Sequence, residues 1–126
     1  MATHRRINVA SGRPLESLAH YSRALRVGDW VMLSGSTAID RSGNVIGEGD
    51  IGRQVDAIME LAQHYMSCAG GRIEDIVRSR IYVTDIALGD AAARALAKYF
   101  RDIDRTAPPN RRPPRPLPLR SVMCNH

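Results

Sequence analysis

Two β-type runs at residues 22–26 and 30–34 flank Val27-Gly28-Asp29. Short apolar runs on either side of a glycine-containing loop predict a hairpin. A second, smaller turn is predicted at Arg41-Ser42-Gly43-Asn44, between Ile39-Asp40 and Val45-Ile46. Asp50 then opens a helix, because a carboxylate there can accept from the unpaired N–H groups of the first turn. Ile51, Val55, Ile58, Ala62 and Tyr65 recur every third or fourth position and make one apolar stripe. Gly70-Gly71 is the expected stop, since glycine accepts the left-handed conformation of a helix C-terminus. Over residues 76–84, Val77, Ser79, Ile81 and Val83 alternate with Arg78 and Arg80, which predicts a strand with one face toward a core. Residues 85–90 read as a turn. Ala92, Leu96, Phe100 and Ile103 then form the stripe of a second helix, widened by Tyr99.

The predicted order is strand, strand, helix, strand, helix. Two helices on one face of a sheet give a two-layer α+β domain related to ferredoxin-like halves. A short sheet with an open apolar face calls for neighbouring subunits. The pattern stops at the tail. Six of the seven prolines lie within residues 108–118, and proline cannot donate to a β-ladder. The expected division is an α+β domain over 1–106 and a Pro/Arg-rich tail over 107–126. Within that tail, residues 117–123 could supply a short edge strand. So abrupt a change of composition is what a shift of reading frame near codon 110 would give; a genuine, divergent tail is the alternative.

Composition narrows the picture. The 126 residues suffice for one domain. No apolar run reaches the length of a membrane helix. The basic N-terminus has no apolar segment behind it, so no secretory signal is expected and a cytoplasmic location is. The net charge of +5 raises nucleic acid as a partner. Yet Arg111, Arg112, Arg115 and Arg120 put +4 of it in the tail and leave the rest at +1. No aromatic residue lies in the tail to stack on a base, which makes nucleic acid an unlikely partner. Cys68 and Cys124 belong to no CxxC or Cys/His pattern and read as incidental free thiols. The four histidines are dispersed, with no metal-binding spacing. Glu74-Asp75 reads as an exposed turn pair.

Several motifs in order carry a resemblance. Tyr21-Ser22-Arg23-Ala24, Val27-Gly28 and Leu33-Ser34-Gly35 are similar to the YSQA…VG…SGQ opening of the RidA/YjgF family. Gly43, Gly47, Asp50-Ile51, Gln54 and Val55 resemble that family's approach to its first helix. Ala69-Gly70-Gly71 with Ile76-Val77, then Tyr82-Val83-Thr84-Asp85-Ile86, then Tyr99-Phe100, match later motifs. The resemblance covers about residues 5–109.

It implies a chorismate-mutase-like fold, a homotrimer built around a central barrel, and clefts between neighbouring chains. It also implies hydrolysis of imines and enamines such as 2-aminoacrylate to a keto acid and ammonia, with no metal or organic cofactor. A carboxylate-bearing substrate needs a planar cationic anchor, and arginine suits it. Pro108-Pro109-Asn110-Arg111 resembles the turn that carries the family's arginine, so Arg111 is the implied catalytic anchor. Tyr21, Ser34 and Gly35, with Arg111, are the implied substrate-binding residues. Two departures stand out. Ala93 occupies the position of a frequent pocket asparagine, and residues 112–126 contain no acid to match the glutamate that helps position water. Without that acid, a trimer that binds a small carboxylate and does not turn it over is the alternative, with binding of RNA or an acidic partner by the tail a lesser one.

Overall fold

The computed structural model describes residues 5–101 and, as backbone, residues 122–123. The elements are β1 (Arg6–Ala10), α1 (Pro14–Ala19), β2 (Ala24–Val27), β3 (Trp30–Leu33), α2 (Ile51–Cys68), α3 (Gly89–Ala97) and β4 (Val122–Met123). The class is α+β, as the pattern implies. These residues fall into two compact units. One comprises 5–35, Leu61–Arg72 and 122–123; the other comprises Ser36–Glu60 and 73–101. The part of α2 up to Glu60 belongs to the second and the part from Leu61 to the first.

The first unit is built on a sheet of order β3-β2-β1-β4. β2 and β3 pair antiparallel with Ala24 opposite Leu33 and Val27 opposite Trp30, which is the expected hairpin. Its turn needs positive φ at Gly28, which has 57°. β1 pairs antiparallel with β2, Ile7 opposite Arg26 and Val9 opposite Ala24. β4 lies parallel to β1, with Val9 opposite Val122. Side chains opposite each other in a ladder share a face. Ile7, Val9, Ala24 and Arg26 therefore share the buried face. Tyr65 and Ala69 join Val9 and Ala24 in its core, with Val31, Leu61 and Cys68 packed around them. Leu25, Val27, Trp30 and Met32 share the opposite face, where Trp30 is 67% and Met32 52% exposed.

Buried Arg26 satisfies its guanidinium on backbone. Its Nε donates to the Gly28 carbonyl at 2.9 Å and Nη1 to the Ala69 carbonyl at 3.1 Å. The second bond places a cation at the C-terminal end of α2, where the unpaired carbonyls carry partial negative charge. Gly70, at φ 82°, then turns the chain, and the Gly71 N–H donates to the Met66 carbonyl at 2.8 Å. The Gly70-Gly71 stop falls where it was expected.

Two elements escape the sequence pattern. β1 shows only one clear alternation, Ile7 and Val9 against Arg6 and Asn8, inside a basic terminus. α1 has six residues and leaves Leu15 and Leu18 exposed, so it has no inward apolar stripe to detect. What fixes it is polar. Pro14 starts it with a preset φ. The buried Glu16 carboxylate accepts from the Ser11 N–H at 3.0 Å and from the Ser11 hydroxyl.

In the second unit, Ile39 bridges Val45 around the expected turn. Asp40 Oδ1 accepts from the N–H groups of Ser42 at 2.8 Å and Asn44 at 2.9 Å. The bond from the Asn44 backbone is the largest cause holding the Asp40 carboxyl below its ordinary value. Gly47 has φ 67°, and a Cβ there would stand 2.8 Å from Arg53 Cβ, so only glycine fits. Asp50 caps α2 as expected, its Oδ1 accepting from the Arg53 N–H at 3.0 Å. Val55 and Met59 are buried in α2, as is Ala92 in α3.

The expected second helix is shorter than its stripe. α3 ends at Ala97, and Tyr99 and Phe100 continue it as tight turns onto the carbonyls of Leu96 and Ala97. Ile103 lies outside the described residues. The Tyr99 hydroxyl donates to Asp56 Oδ1 at 2.6 Å, and Lys98 pairs with the same oxygen.

The strand expected over residues 76–84 does not form. Apart from a hydrogen-bonded turn at Ile76, residues 76–83 hold no regular structure, and Val77 is 80% and Tyr82 87% exposed. Alternation specifies which way side chains point, but a strand also needs a neighbour's N–H and C=O groups. Among the described residues no ladder forms on this segment; the edge of β1 not paired with β2 is occupied by β4. The order is therefore β1 and α1 ahead of the hairpin, and no strand between α2 and α3. The edge strand expected within 117–123 is present as its last two residues.

Candidate functional site

The antiparallel hairpin brings three of the four expected site residues to one end of the sheet. Tyr21 precedes β2, and its N–H donates to the Glu16 carbonyl at 3.2 Å. Ser34 and Gly35 follow β3. The Ser34 N–H donates to the Arg23 carbonyl at 3.0 Å and its hydroxyl to the Ser22 carbonyl at 2.6 Å. Arg111 and the turn before it lie outside the described residues.

Arg23 links the members of this cluster. Its Nη2 donates to the Gly35 carbonyl at 3.1 Å. Its guanidinium carbon lies 5.9 Å from the Tyr21 ring centroid and 5.6 Å from that of Tyr65. A guanidinium at such distances is attracted by the negative faces of both rings. The Tyr65 ring is itself held edge-on by His64, centroids 5.1 Å apart. The motif Tyr21-Ser22-Arg23-Ala24 contains Arg23, yet its side chain was not picked out by sequence. The signal was there: a charged residue one step from the fully buried Ala24 must either reach solvent or find partners.

Gly35 differs from the turn glycines. It has no left-handed φ, and a Cβ built on it would meet nothing within 4 Å. Neither backbone strain nor crowding by described atoms requires glycine there. The acid nearest in sequence to Tyr21, Glu16, is committed to Ser11.

Among the described residues no three His, Cys, Asp or Glu side chains are grouped as a metal would need. No described helix is long and apolar enough to cross a membrane. One expectation is corrected: Cys68 is not a free thiol but is disulfide-bonded. Sequence spacing cannot reveal such a bond, because it depends on which backbone segments meet in space. Cys124 lies outside the described residues.

Fold and site together define a small α+β domain with a Tyr–Arg–Tyr cluster at the end of a hairpin, backed by the C-terminal half of a long helix. Residues 11–113 match the sequence model of the family described as Endoribonuclease L-PSP. The 3-aminoacrylate deaminase RutC of Acinetobacter baylyi is 31% identical over 83 residues, 66% of each chain. A RutC family protein of Sulfurisphaera tokodaii is 29% identical over 82 residues, 65% of this chain and 66% of its own. The chain thus spans just under two-thirds of these relatives' length. Among solved structures, a Mycobacterium tuberculosis member of the YjgF/YER057c/UK114 family is 34% identical. It superposes with a TM-score of 0.67 over 78% of this chain and 76% of its own. A yeast protein, YEO7, shares the fold at 18% identity, with a TM-score of 0.62 over 82% of this chain and 78% of its own. The chain belongs to the YjgF/YER057c/UK114 family, to which the RidA and RutC proteins also belong.

Proposed function

We propose that this protein is an imine/enamine deaminase acting on a small carboxylate-bearing intermediate of the 2-aminoacrylate type. The observation that carries the reading is the meeting of Tyr21, Ser34 and Gly35 at one end of the hairpin, beside the cation of Arg23. The similarity to a 3-aminoacrylate deaminase supports the same substrate class.

The chemistry asks for little machinery. Protonation of the enamine carbon gives an iminium. Water adds to the C=N carbon, the carbinolamine loses ammonia, and a keto acid remains. The protein's part is to orient the carboxylate and hold water near the carbon, and close positioning is a large share of such rate enhancement. Arg111 is the proposed carboxylate anchor, with the Tyr21 ring and the Gly35 backbone as pocket walls. The site is completed in a cytoplasmic homotrimer, in a cleft between subunits. The open sheet face of Val27, Trp30 and Met32 supports assembly, because a contiguous apolar surface is stabilised by a neighbour. The α+β domain of 1–106 carries this machinery except for Arg111, which the 107–126 tail supplies.

One observation favours a second reading. The absence of any acid from Arg112 to His126 removes the usual water-positioning group and favours a trimer that binds carboxylates without turnover. Ammonia release from 2-aminoacrylate, generated in place by a separate dehydratase, decides between them. Acceleration by the wild type and its loss in Arg111→Ala establish the deaminase. A folded trimer that binds pyruvate without accelerating release establishes the binder.

A further inference from the structure

One charged residue at the proposed site is joined to Tyr21 and to Gly35 alike. Arg23 sits between Tyr21 and Tyr65 and donates to the Gly35 carbonyl. Its own backbone is pinned on both sides: its N–H donates to the Val9 carbonyl at 2.9 Å, and its carbonyl accepts from Ser34. Tyr65 is 3% exposed and belongs to the core, so the guanidinium is anchored against a wall that does not move independently. Tyr21 is partly exposed and Gly35 exposed, without comparable packing. Arg23 thus links the buried Tyr65 of α2 to the two residues at the open end of the hairpin.

We infer that Arg23 is a positioning residue, which fixes the Tyr21 ring and the Gly35 peptide in one arrangement and biases the pocket they line toward carboxylate-bearing ligands. The inference rests on the proposed site, and it concerns recognition of the ligand, not the bond-breaking step. A planar guanidinium is needed for it. It lies within cation–π reach of both rings while an N–H at its edge reaches a carbonyl, which a lysine ammonium, a compact point charge, cannot do at once. Glutamine is two bonds shorter than the Nη2 that reaches Gly35 and carries no charge for the rings or for an anion.

The test uses full-length protein and the variants Arg23→Lys and Arg23→Gln. Pyruvate, the keto acid product, is the binding probe, titrated by NMR with the Gly35 amide as reporter. 2-Aminoacrylate supplies kcat and KM. The expected result is pyruvate binding by the wild type that perturbs Gly35, and a Kd weakened about tenfold in both variants, as the Tyr21 ring and the Gly35 peptide lose their fixed arrangement. KM should rise by a similar factor with kcat changed less than about twofold, the pattern for binding lost equally in ground and transition states. Thermal melting shows whether each variant is folded. Wild-type affinity in a folded Arg23→Gln, or full rescue by Arg23→Lys, overturns the inference. So does wild-type protein that binds no pyruvate. If the wild type binds pyruvate in an Arg23-dependent way yet does not accelerate ammonia release, the deaminase reading fails and the role of Arg23 stands.

Discussion

Arg26 Nη1 donates to the Ala69 carbonyl at 3.1 Å, joining the middle of β2 to the end of α2. Both residues are buried, so the bond is made out of water's reach. Its removal strands two carbonyls, those of Gly28 and Ala69, and opens a gap where the guanidinium lay. Arg26→Ala should cost about 3 kcal/mol, in the upper range for a buried charge-assisted bond. Chemical denaturation should show it as a lower midpoint with an unchanged slope. Arg26→Lys should recover part of the loss, because an ammonium can satisfy one carbonyl but not the forked geometry. A midpoint equal to wild type in Arg26→Ala would show that the bond contributes nothing net.

Arg26 also shows how far the sequence could be read. The hairpin, the Asp50 cap, the α2 stripe and the Gly70-Gly71 stop were legible, because each rests on residues adjacent on one face or turn. β1 and α1 were not. Their signals are two alternating apolar residues and one buried glutamate whose partner, Ser11, lies outside the helix. The segment at 76–84 misled in the other direction, since its alternation is real but the ladder that would use it is not formed. In the site, Tyr21, Ser34 and Gly35 were identifiable through resemblance. Arg23 was not, because its importance lies in contacts with Tyr65 and Gly35, far from it in sequence.

Tyr99 and Asp56 should give the protein a distinct alkaline titration. Burial, and next the bond to Asp56, push the Tyr99 phenol up from 10.0 to about 12. A group whose folded-state value is raised contributes stability that is complete below its unfolded value and is lost as pH rises through the folded one. The loss should therefore fall between pH 10 and about 12. Asp56 runs the other way. Its value is lowered, first by Lys98 and then by Tyr99, so its contribution holds above 3.8 and is lost as pH falls through the folded value. Phenolate absorbance should show the Tyr99 step at about 12, and Asp56→Asn should move that step down. A profile that Asp56→Asn leaves unchanged would contradict this.

Asp50 tests the α2 N-terminus. Its carboxylate accepts from the Arg53 N–H, and N-cap losses of this kind run to about 1 kcal/mol. Asp50→Ala should show that loss in thermal or chemical melts, and Asp50→Asn should show little of it. Equal losses in the two would mean that charge, not the acceptor oxygen, is what matters there.

Met32 tests the proposed assembly. It lies beside Trp30 and Val27 on the open face of the sheet. A carboxylate buried in an apolar interface is strongly disfavoured, whereas on a solvated face it costs little. Met32→Glu should therefore leave the melting temperature of the isolated chain near wild type while light scattering shows monomer in place of trimer. A wild type already monomeric at working concentration, or a trimer that tolerates the glutamate, would remove this face from the interface.

Gly35 allows stability and function to be separated at one position. An alanine there meets no described atom within 4 Å and needs no left-handed backbone. Gly→Ala at a compatible position restricts the unfolded chain and stabilises by about 0.4–1 kcal/mol. If Gly35 were merely part of a turn, Gly35→Ala should be as active as wild type and slightly more stable. If its open side is a wall of the ligand pocket, the added methyl occupies space the substrate needs. Activity or pyruvate affinity should then fall while the melting temperature holds or rises. Loss of function with loss of stability would point instead to neighbours packed against Gly35 in the assembled protein. Stability gained and function lost is the expected pair, and melting curves beside pyruvate titrations of the same preparation will read both.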